Sequence, residues 1–367
     1  MKFSILREDI LKPLQMISGV IERRQTMPIL SNILLDLQDN EMIMTATDLE
    51  VELITRFPVE GDTTAGRTTL PARKFADICR TLPEGARLEL QLDGERAKIK
   101  SGRSRFTLST LPADDYPSIK DADKISELSL TEHELKRIIA KTQFSMAQQD
   151  VRYYINGLLT EVTRDSLRTV ATDGHRMSMC VAAADANQDE TMQFIVPRKG
   201  ILELARLLKD TDKNVRLKFG TNHLRVEVDD IQFTTKLIDG KFPDYERVIP
   251  VNISNKVTAN TENLKQALVR TSILSNEKYR GIRIVLSEDS LQAVAHNPEM
   301  EEAEEVVSVD YKGDNLEIGF NVSYIIDALN AIESEEVELC FGDANSSCLM
   351  LPKNGDNYKY VIMPMRL

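Results

Sequence analysis

The most reactive group of side chains in the 367-residue chain is ATDGHRM from Ala171, where Asp173, His175 and Arg176 fall within four positions. A carboxylate, an imidazole and a guanidinium so close together are the parts of an acid/base site, since the imidazole takes up or releases a proton near neutral pH. The counterpart of this stretch 125 residues earlier, ATDLEVE from Ala46, keeps Thr-Asp but has neither His nor Arg. Thr47-Asp48 and Thr172-Asp173 therefore read as architecture, a turn at a strand end. No Walker loop, GxGxxG after a strand, HExxH or GxSxG is present. Histidines 133, 175, 223 and 296 are isolated, and Cys79, Cys180, Cys340 and Cys348 never reach the two-to-four-residue spacing of a zinc site. They read as small core residues of a reduced cytoplasmic protein. No catalytic residue, cofactor or metal is expected.

Three further stretches have chemistry of another kind. Gln148 to Tyr154 (QQDVRYY) joins amides, an Arg and two tyrosines. It is either a helix end whose aromatics enter the core or an edge that touches nucleic acid, as Arg and Tyr do at phosphates and bases. The terminal YVIMPMRL stays apolar to its end. It is either the last strand of a sheet, or Val361, Met363, Pro364 and Met365 rim an apolar groove in which Met adapts to several peptides. Lys74, Arg96, Arg103 and Arg105 near one end of the chain face, in sign, the five glutamates of NPEMEEAEE (297–305) near the other. That acidic run is either a solvated loop or one half of a head-to-tail contact between subunits.

The elements that must position these residues repeat three times. DILKPLQMI, HELKRIIAK and ENLKQALVR open helices with Leu11-Lys12, Leu135-Lys136 and Leu264-Lys265 in register, 124 and 129 residues apart. An apolar strand runs into Thr47-Asp48, Thr172-Asp173 and His296-Asn297, and a second helix starts within LPARKFADICRTLP, IVPRKGILELARLL and IGFNVSYIIDALNAI. Three markers with one period mean three copies of one domain. Each copy reads as a short strand, an amphipathic helix, strand-like runs such as NILLDLQ and EVELITRF, a second helix, and a closing meander. In the first meander the turns fall at Asp93-Gly94 and Ser101-Gly102. The first helix puts Ile10, Leu14, Ile17 and Ile21 on one stripe, with Asp9 as N-cap and Pro13 in the first turn. Thr131 and Glu134 form a capping-box pattern in the second copy. The fold class is α+β, each copy packing two helices on one face of a mixed, antiparallel-rich sheet. The acidic segments from Leu111 and Asp239 connect domains over 1–121, 129–245 and 246–367.

Net charge is −12, which weighs against a nucleic-acid partner. Its distribution reverses the inference. Helices predicted over 7–24, 73–80, 131–149, 197–210, 261–280 and 320–333 hold 18 Lys/Arg against 12 Asp/Glu, leaving −18 on the rest. Helix propensity alone is the competing explanation for that excess. The charged N-terminus carries no targeting signal, and no apolar run approaches the roughly 18 residues of a membrane span.

Together LPARKFADICR, SGRSRFTLSTLPA, QFSMAQQDVRYYINGLL, VATDGHRM, VPRKG, DGKFPDY, ILSNEKYRG, EEAEE, GFNVSYIIDALNA and MPMRL make the chain resemble the beta subunits of bacterial DNA polymerase III, the sliding clamps, over its whole length. The resemblance implies a non-enzymatic processivity factor. Two subunits of three clamp domains would form a head-to-tail homodimeric ring around duplex DNA, loaded by an ATP-driven clamp loader and tethering replicative and repair polymerases. Twelve helices at roughly 9 Å spacing span about 110 Å, enough for a bore of at least ~25 Å, so one chain alone could not close around DNA. By resemblance Arg24, Arg73, Gln149, Tyr153, Tyr154, Arg198 and Lys199 face DNA. The partner-peptide pocket would take Arg152, Ile155, Thr172, Gly174, His175, Arg176, Met177, Pro243, Val248, Ser347, Val361, Met363, Pro364, Met365 and Arg366. The dimer seam would take Lys74, Arg96, Arg103, Arg105, Phe106, Leu108, Ile273, Leu274, Glu299, Glu301, Glu302 and Glu305. Ala344 to Ser347 (ANSS) departs from the pattern, which leads us to expect a larger apolar residue there. The rivals are an enzyme built on Asp173, His175 and Arg176, and a solitary peptide-binding module.

Overall fold

The computed structural model describes all residues except 22–26, 120–123, 187–189, 252, 356 and 367. The first repeat runs β1 (Lys2–Leu6), α1 (Arg7–Ile17), β2 (Asn32–Gln38), β3 (Glu41–Thr47), β4 (Val51–Pro58), β5 (Gly66–Pro71), α2 (Ala72–Thr81), β6 (Arg87–Asp93), β7 (Arg96–Ser101) and β8 (Ser104–Ser109). The second follows the same order: β9 (Lys124–Thr131), α3 (Glu132–Thr142), β10 (Gly157–Val162), β11 (Ser166–Thr172), β12 (Arg176–Ala183), the short extra β13 (Asp185–Ala186), β14 (Met192–Pro197), α4 (Arg198–Leu207), β15 (Asn214–Gly220), β16 (His223–Val228) and β17 (Ile231–Lys236). The third is β18 (Asn255–Asn260), α5 (Thr261–Ser272), β19 (Gly281–Ser287), β20 (Ser290–His296), β21 (Glu302–Ser308), β22 (Leu316–Asn321), α6 (Val322–Ala331), β23 (Glu336–Phe341), β24 (Cys348–Pro352) and β25 (Tyr358–Ile362).

Among the described residues each repeat builds two four-stranded blocks of sheet, the central repeat adding the short β13 to one of them, not the single mixed sheet expected, and the strand pairs described here are antiparallel. Alternation explains why: β7 buries every second residue, so its sheet has one apolar face to cover. Neighbouring repeats then share sheets. β4 pairs with β17, setting Val51 opposite Thr235, and β12 pairs with β25, setting Met177 opposite Val361. The described chain accordingly clusters into two compact units, Met1–His133 with Leu202–Leu237 and Glu134–Ile201 with Ile238–Leu367. The division falls inside the central repeat because each of its sheets continues into a different neighbour. In the first unit Phe3, Leu14, Phe75, Phe219 and Phe233 are buried; in the second, Tyr311, Phe320, Phe341 and Tyr360.

Five of the six described helices are shorter than predicted, while α2, at Ala72–Thr81, extends one residue beyond each end of the predicted 73–80. Ile10, Leu14, Ile17 and Ile21 are all buried. However, α1 ends at Ile17, and Ile21 reaches the core from a turn in which its N–H donates to the Ser18 carbonyl at 3.3 Å. In α3 the Thr142 hydroxyl donates to the Ile138 carbonyl at 2.7 Å, and in α5 the hydroxyls of Thr271 and Ser272 donate to Ala267 and Val269. Side-chain hydroxyls that bond back to helix carbonyls compete with continuation of the helix. The start of α1 also differs. Its N-cap is Leu6, not Asp9, so Pro13 sits inside the helix, where its ring removes one backbone donor. Glu134 grips Arg137 at 2.9 Å, while Glu132 accepts from the Lys209 N–H at 2.7 Å and the Thr211 hydroxyl at 2.5 Å.

Candidate functional site

The Thr-Asp turns are built alike. The Thr172 hydroxyl donates to the Arg176 carbonyl at 2.7 Å, and Asp173 Oδ1 accepts from the N–H groups of His175 and Arg176 at 2.9 and 3.0 Å. Thr47 donates to the Val51 carbonyl at 2.9 Å, and Asp48 accepts from Glu50 and Val51 at 2.9 and 2.7 Å. Asp173 is thus spent on holding a turn, with its second oxygen on Arg176 Nε at 3.0 Å. His175 is exposed.

Beside this turn lies a cavity of about 310 Å³ with an apolar wall of Tyr154, Ile155, Met177, Pro243, Tyr245, Val248, Val361 and Met363. Arg152, Thr172, Gly174, Arg176 and Asp244 supply its polar rim. Below it are the buried side chains of Leu159, Val170, Ile195, Cys340 and Leu349. The repeat explains why the cavity opens here. Met177 faces Val361 across β12 and β25, whereas the equivalent pair on β4 and β17 is Glu52 opposite Thr234. The buried Glu52 carboxylate accepts from the Ile119 N–H at 2.9 Å. The C-terminal segment is fastened at both sides, Met363 N–H to the His175 carbonyl and Met365 N–H to the Gly319 carbonyl, each at 2.9 Å.

The rim is electrostatically ordered. Arg152 donates Nε and Nη2 to the Asp150 carboxylate at 3.0 and 2.9 Å, and these bonds hold that carboxyl down to about 2. Gly174 has φ +88°, and a Cβ there would lie 2.8 Å from Arg152 Nη2. Arg176 donates Nη1 to Asp327 at 2.6 Å and Nη2 to the Phe144 carbonyl at 2.7 Å.

Of the residues assigned to this pocket, Arg152, Ile155, Thr172, Gly174, Arg176, Met177, Pro243, Val248, Val361 and Met363 line it. His175, Ser347 and Pro364 do not line it, while Met365 and Arg366 border a second cavity of about 1030 Å³ with Tyr279, Arg283, His296 and Ala344. Sequence reading missed Asp244 and Tyr245, which it placed in a connector; the Pro-Asp-Tyr string beginning at Pro243 was the available signal. Tyr154, assigned to DNA, packs its ring against the pocket core, edge-on to Tyr153 with centroids 5.7 Å apart. Among the other residues assigned to DNA, Arg24 lies outside the described residues. Arg73, Gln149 and Tyr153 are exposed, Arg198 opens α4 and donates to the Met146 carbonyl at 3.0 Å, and Lys199 follows it. The six described helices keep a cationic excess, thirteen Lys and Arg against eight Asp and Glu.

At the expected seam, β8 and β21 each end a four-stranded sheet. Lys74, Arg96, Arg103 and Arg105 are exposed on one side and Glu299, Glu301 and Glu302 on the other. Phe106 and Leu274 are half-buried, Leu108 is buried, and Ile273 is 73 % exposed. Glu305 is held within its own chain by Arg270 at 2.6 and 2.8 Å. Val306, 61 % exposed on β21, is an apolar residue there that the reading did not name. Burial pushes the Cys79 thiol up to about 12 and the Cys180 thiol up to about 11, as befits core residues. Among the described residues no cluster of three His, Cys, Asp or Glu is placed to hold a metal, and no helix is long and apolar enough to cross a membrane.

Three tandem repeats of two helices and two antiparallel sheets, joined sheet to sheet, are the architecture of a DNA clamp. The N-terminal, central and C-terminal domains of the DNA polymerase III beta subunit match residues 1–120, 129–244 and 246–366 in turn. The beta sliding clamps of Pseudomonas putida and Escherichia coli K12 are 51 % and 50 % identical to the chain, each aligned over 100 % of both sequences. A sliding clamp from Pseudomonas aeruginosa bound to griselimycin superposes with a TM-score of 0.97 at 51 % identity, again covering 100 % of both chains. The chain belongs to the DNA polymerase III beta subunit family.

Proposed function

We propose that this protein is a DNA sliding clamp. Two copies close head to tail into a ring around duplex DNA, an ATP-driven clamp loader places the ring, and it tethers replicative and repair polymerases without catalysing a reaction itself. The observation that carries this reading is family membership over the entire length in three consecutive domains. The two sheet edges support it: β8, beside Arg96, Arg103 and Arg105, and β21, among glutamates, are complementary in charge and each lacks an outer strand in the described chain. We assign the domains to 1–121, 129–245 and 246–367, and the site of action to the cytoplasm. Arg24, Arg73, Gln149, Tyr153, Arg198 and Lys199 supply the DNA-facing charge and edge, with Tyr154 shared with the pocket. The pocket takes a short segment of a partner, a glutamine followed by two large apolar residues. Two such anchors at about 1.5 to 3 kcal/mol each fall short of the ~8 kcal/mol of micromolar affinity, so a few hydrogen bonds to the polar rim must supply the rest and offset the ordering entropy.

A closed ring stays on DNA by topology, so its lining needs only diffuse positive charge. The test is retention after loading. On nicked circular DNA the protein should remain bound at salt that abolishes direct binding, and it should leave when the DNA is linearised. Attraction to phosphate alone weakens steeply with salt on both forms. Equal loss from circle and line at one salt concentration would identify an ordinary DNA-binding protein.

A further inference from the structure

Arg176 is tied to three elements at once. Its Nε donates to Asp173 Oδ2 at 3.0 Å on its own turn, Nη2 to the Phe144 carbonyl at 2.7 Å, and Nη1 to Asp327 Oδ2 at 2.6 Å on α6. The guanidinium also lies 4.5 Å from the centre of the Tyr324 ring. Tyr324 and Asp327 are three residues apart on α6 and so share a face of the helix. A carboxylate and an aromatic ring from one helix thus both hold a cation that lines the pocket, and the Phe144 ring lies 5.5 Å from the same guanidinium. Asp327 is absent from the cavity wall and its side chain is 41 % exposed.

We propose that Asp327 is a positioning residue for the partner-peptide pocket: its ion pair keeps the Arg176 guanidinium stacked on Tyr324 and so fixes the wall beside Met177. The inference rests on the assignment of the pocket under Proposed function. Replacing Asp327 with Asn leaves Arg176 on Asp173 and Phe144, so no buried charge is stranded and the fold should survive. What is lost is the charge of the ion pair: the neutral Asn oxygen can accept only a weaker hydrogen bond from Nη1, which leaves the guanidinium less firmly held against Tyr324.

Calorimetric titration of the full-length dimer with a synthetic peptide, a glutamine followed by two large apolar residues, tests this. Asp327→Asn should weaken binding by about fivefold, and Asp327→Glu should bind within about twofold of wild type. In a Tyr324→Ala background Asp327→Asn should add little further loss, because both changes break the same stack. Each variant should remain dimeric and melt within about 2 °C of wild type. Wild-type affinity in Asp327→Asn overturns the proposal, as does an equal additional loss in the Tyr324→Ala background or failure of Asp327→Glu to restore binding. A chain lacking Met363–Leu367 separates the two levels: if it still binds the peptide as wild type does, the pocket assignment itself fails.

Discussion

Single residues at the pocket rim show how little chemistry separates a turn from a binding site. The first and central repeats share one turn, but Leu49 stands at φ +76° where the central repeat has Gly174 at +88°, and only the glycine lets the Arg152 guanidinium come close. Arg152 is in turn fixed by Asp150, whose carboxyl its hydrogen bonds hold at about 2, below the ordinary 3.8. A depressed carboxylate contributes above its unfolded value, and the contribution fades as pH falls through the folded one. The Asp150–Arg152 contact should therefore persist through neutral and mildly acidic solution and fail only as pH drops from about 4 toward 2. Carbon-detected NMR titration of the Asp150 carboxyl should give a midpoint at about 2. In Arg152→Ala that midpoint should return toward the usual carboxylate range; if it stays low, Arg152 is not the cause. Tyr153 and Tyr154 show what composition leaves undecided. Adjacent and identical in type, one is exposed and the other packs against the pocket core, a choice made by the turn that carries them.

Elements were legible where local chemistry fixes them. β2 begins at Asn32 as its alternation indicates, and the meander turns at Gly94 and Gly102 take φ of +58° and +54°, where glycine is needed. Helix ends were less legible, because the stripe of α1 continues to Ile21 in space after the helix has stopped at Ile17. Strand neighbours across repeats were least legible. Periodicity gives the buried face of β4 but cannot say that β17, about 180 residues on, lies beside it. The pocket wall at Val361 depends on the same kind of pairing, β25 on β12. One element is capped in a way that can be measured: the Asn260 side chain accepts from the Asn263 N–H at 3.0 Å at the start of α5. Asn260→Ala should destabilise the protein by ~1 kcal/mol in urea unfolding. A change of no more than a few tenths would mean that the cap does not matter to α5.

At the scale of the whole molecule, Ile273 just past α5 and Val306 on β21 are large apolar residues that the isolated chain leaves to solvent. Burying a large aliphatic contributes about 1.5 to 3 kcal/mol, against ~0 to 1 for an exposed ion pair, so apolar contact should hold the dimer while charge sets its orientation. Replacing Ile273 and Leu274 together with Ala removes that contact at both seams of a two-subunit ring. Sedimentation velocity should then find monomer; a double mutant still dimeric at nanomolar concentration would place the seam elsewhere. The opposite charges of the two end strands have one more consequence. A basic edge repels its own copy and so does an acidic one, so in the proposed ring β8 should join only β21. A two-subunit ring closed by identical head-to-tail joints has its symmetry axis along the bore and none across it. Its two faces across the bore are therefore chemically different surfaces, and whichever of them one partner pocket opens toward, its symmetry mate opens toward the same one. Such a ring can be threaded in either of two orientations that are not equivalent, so the sense in which a recruited protein is delivered along the DNA is set by the orientation in which the ring was loaded.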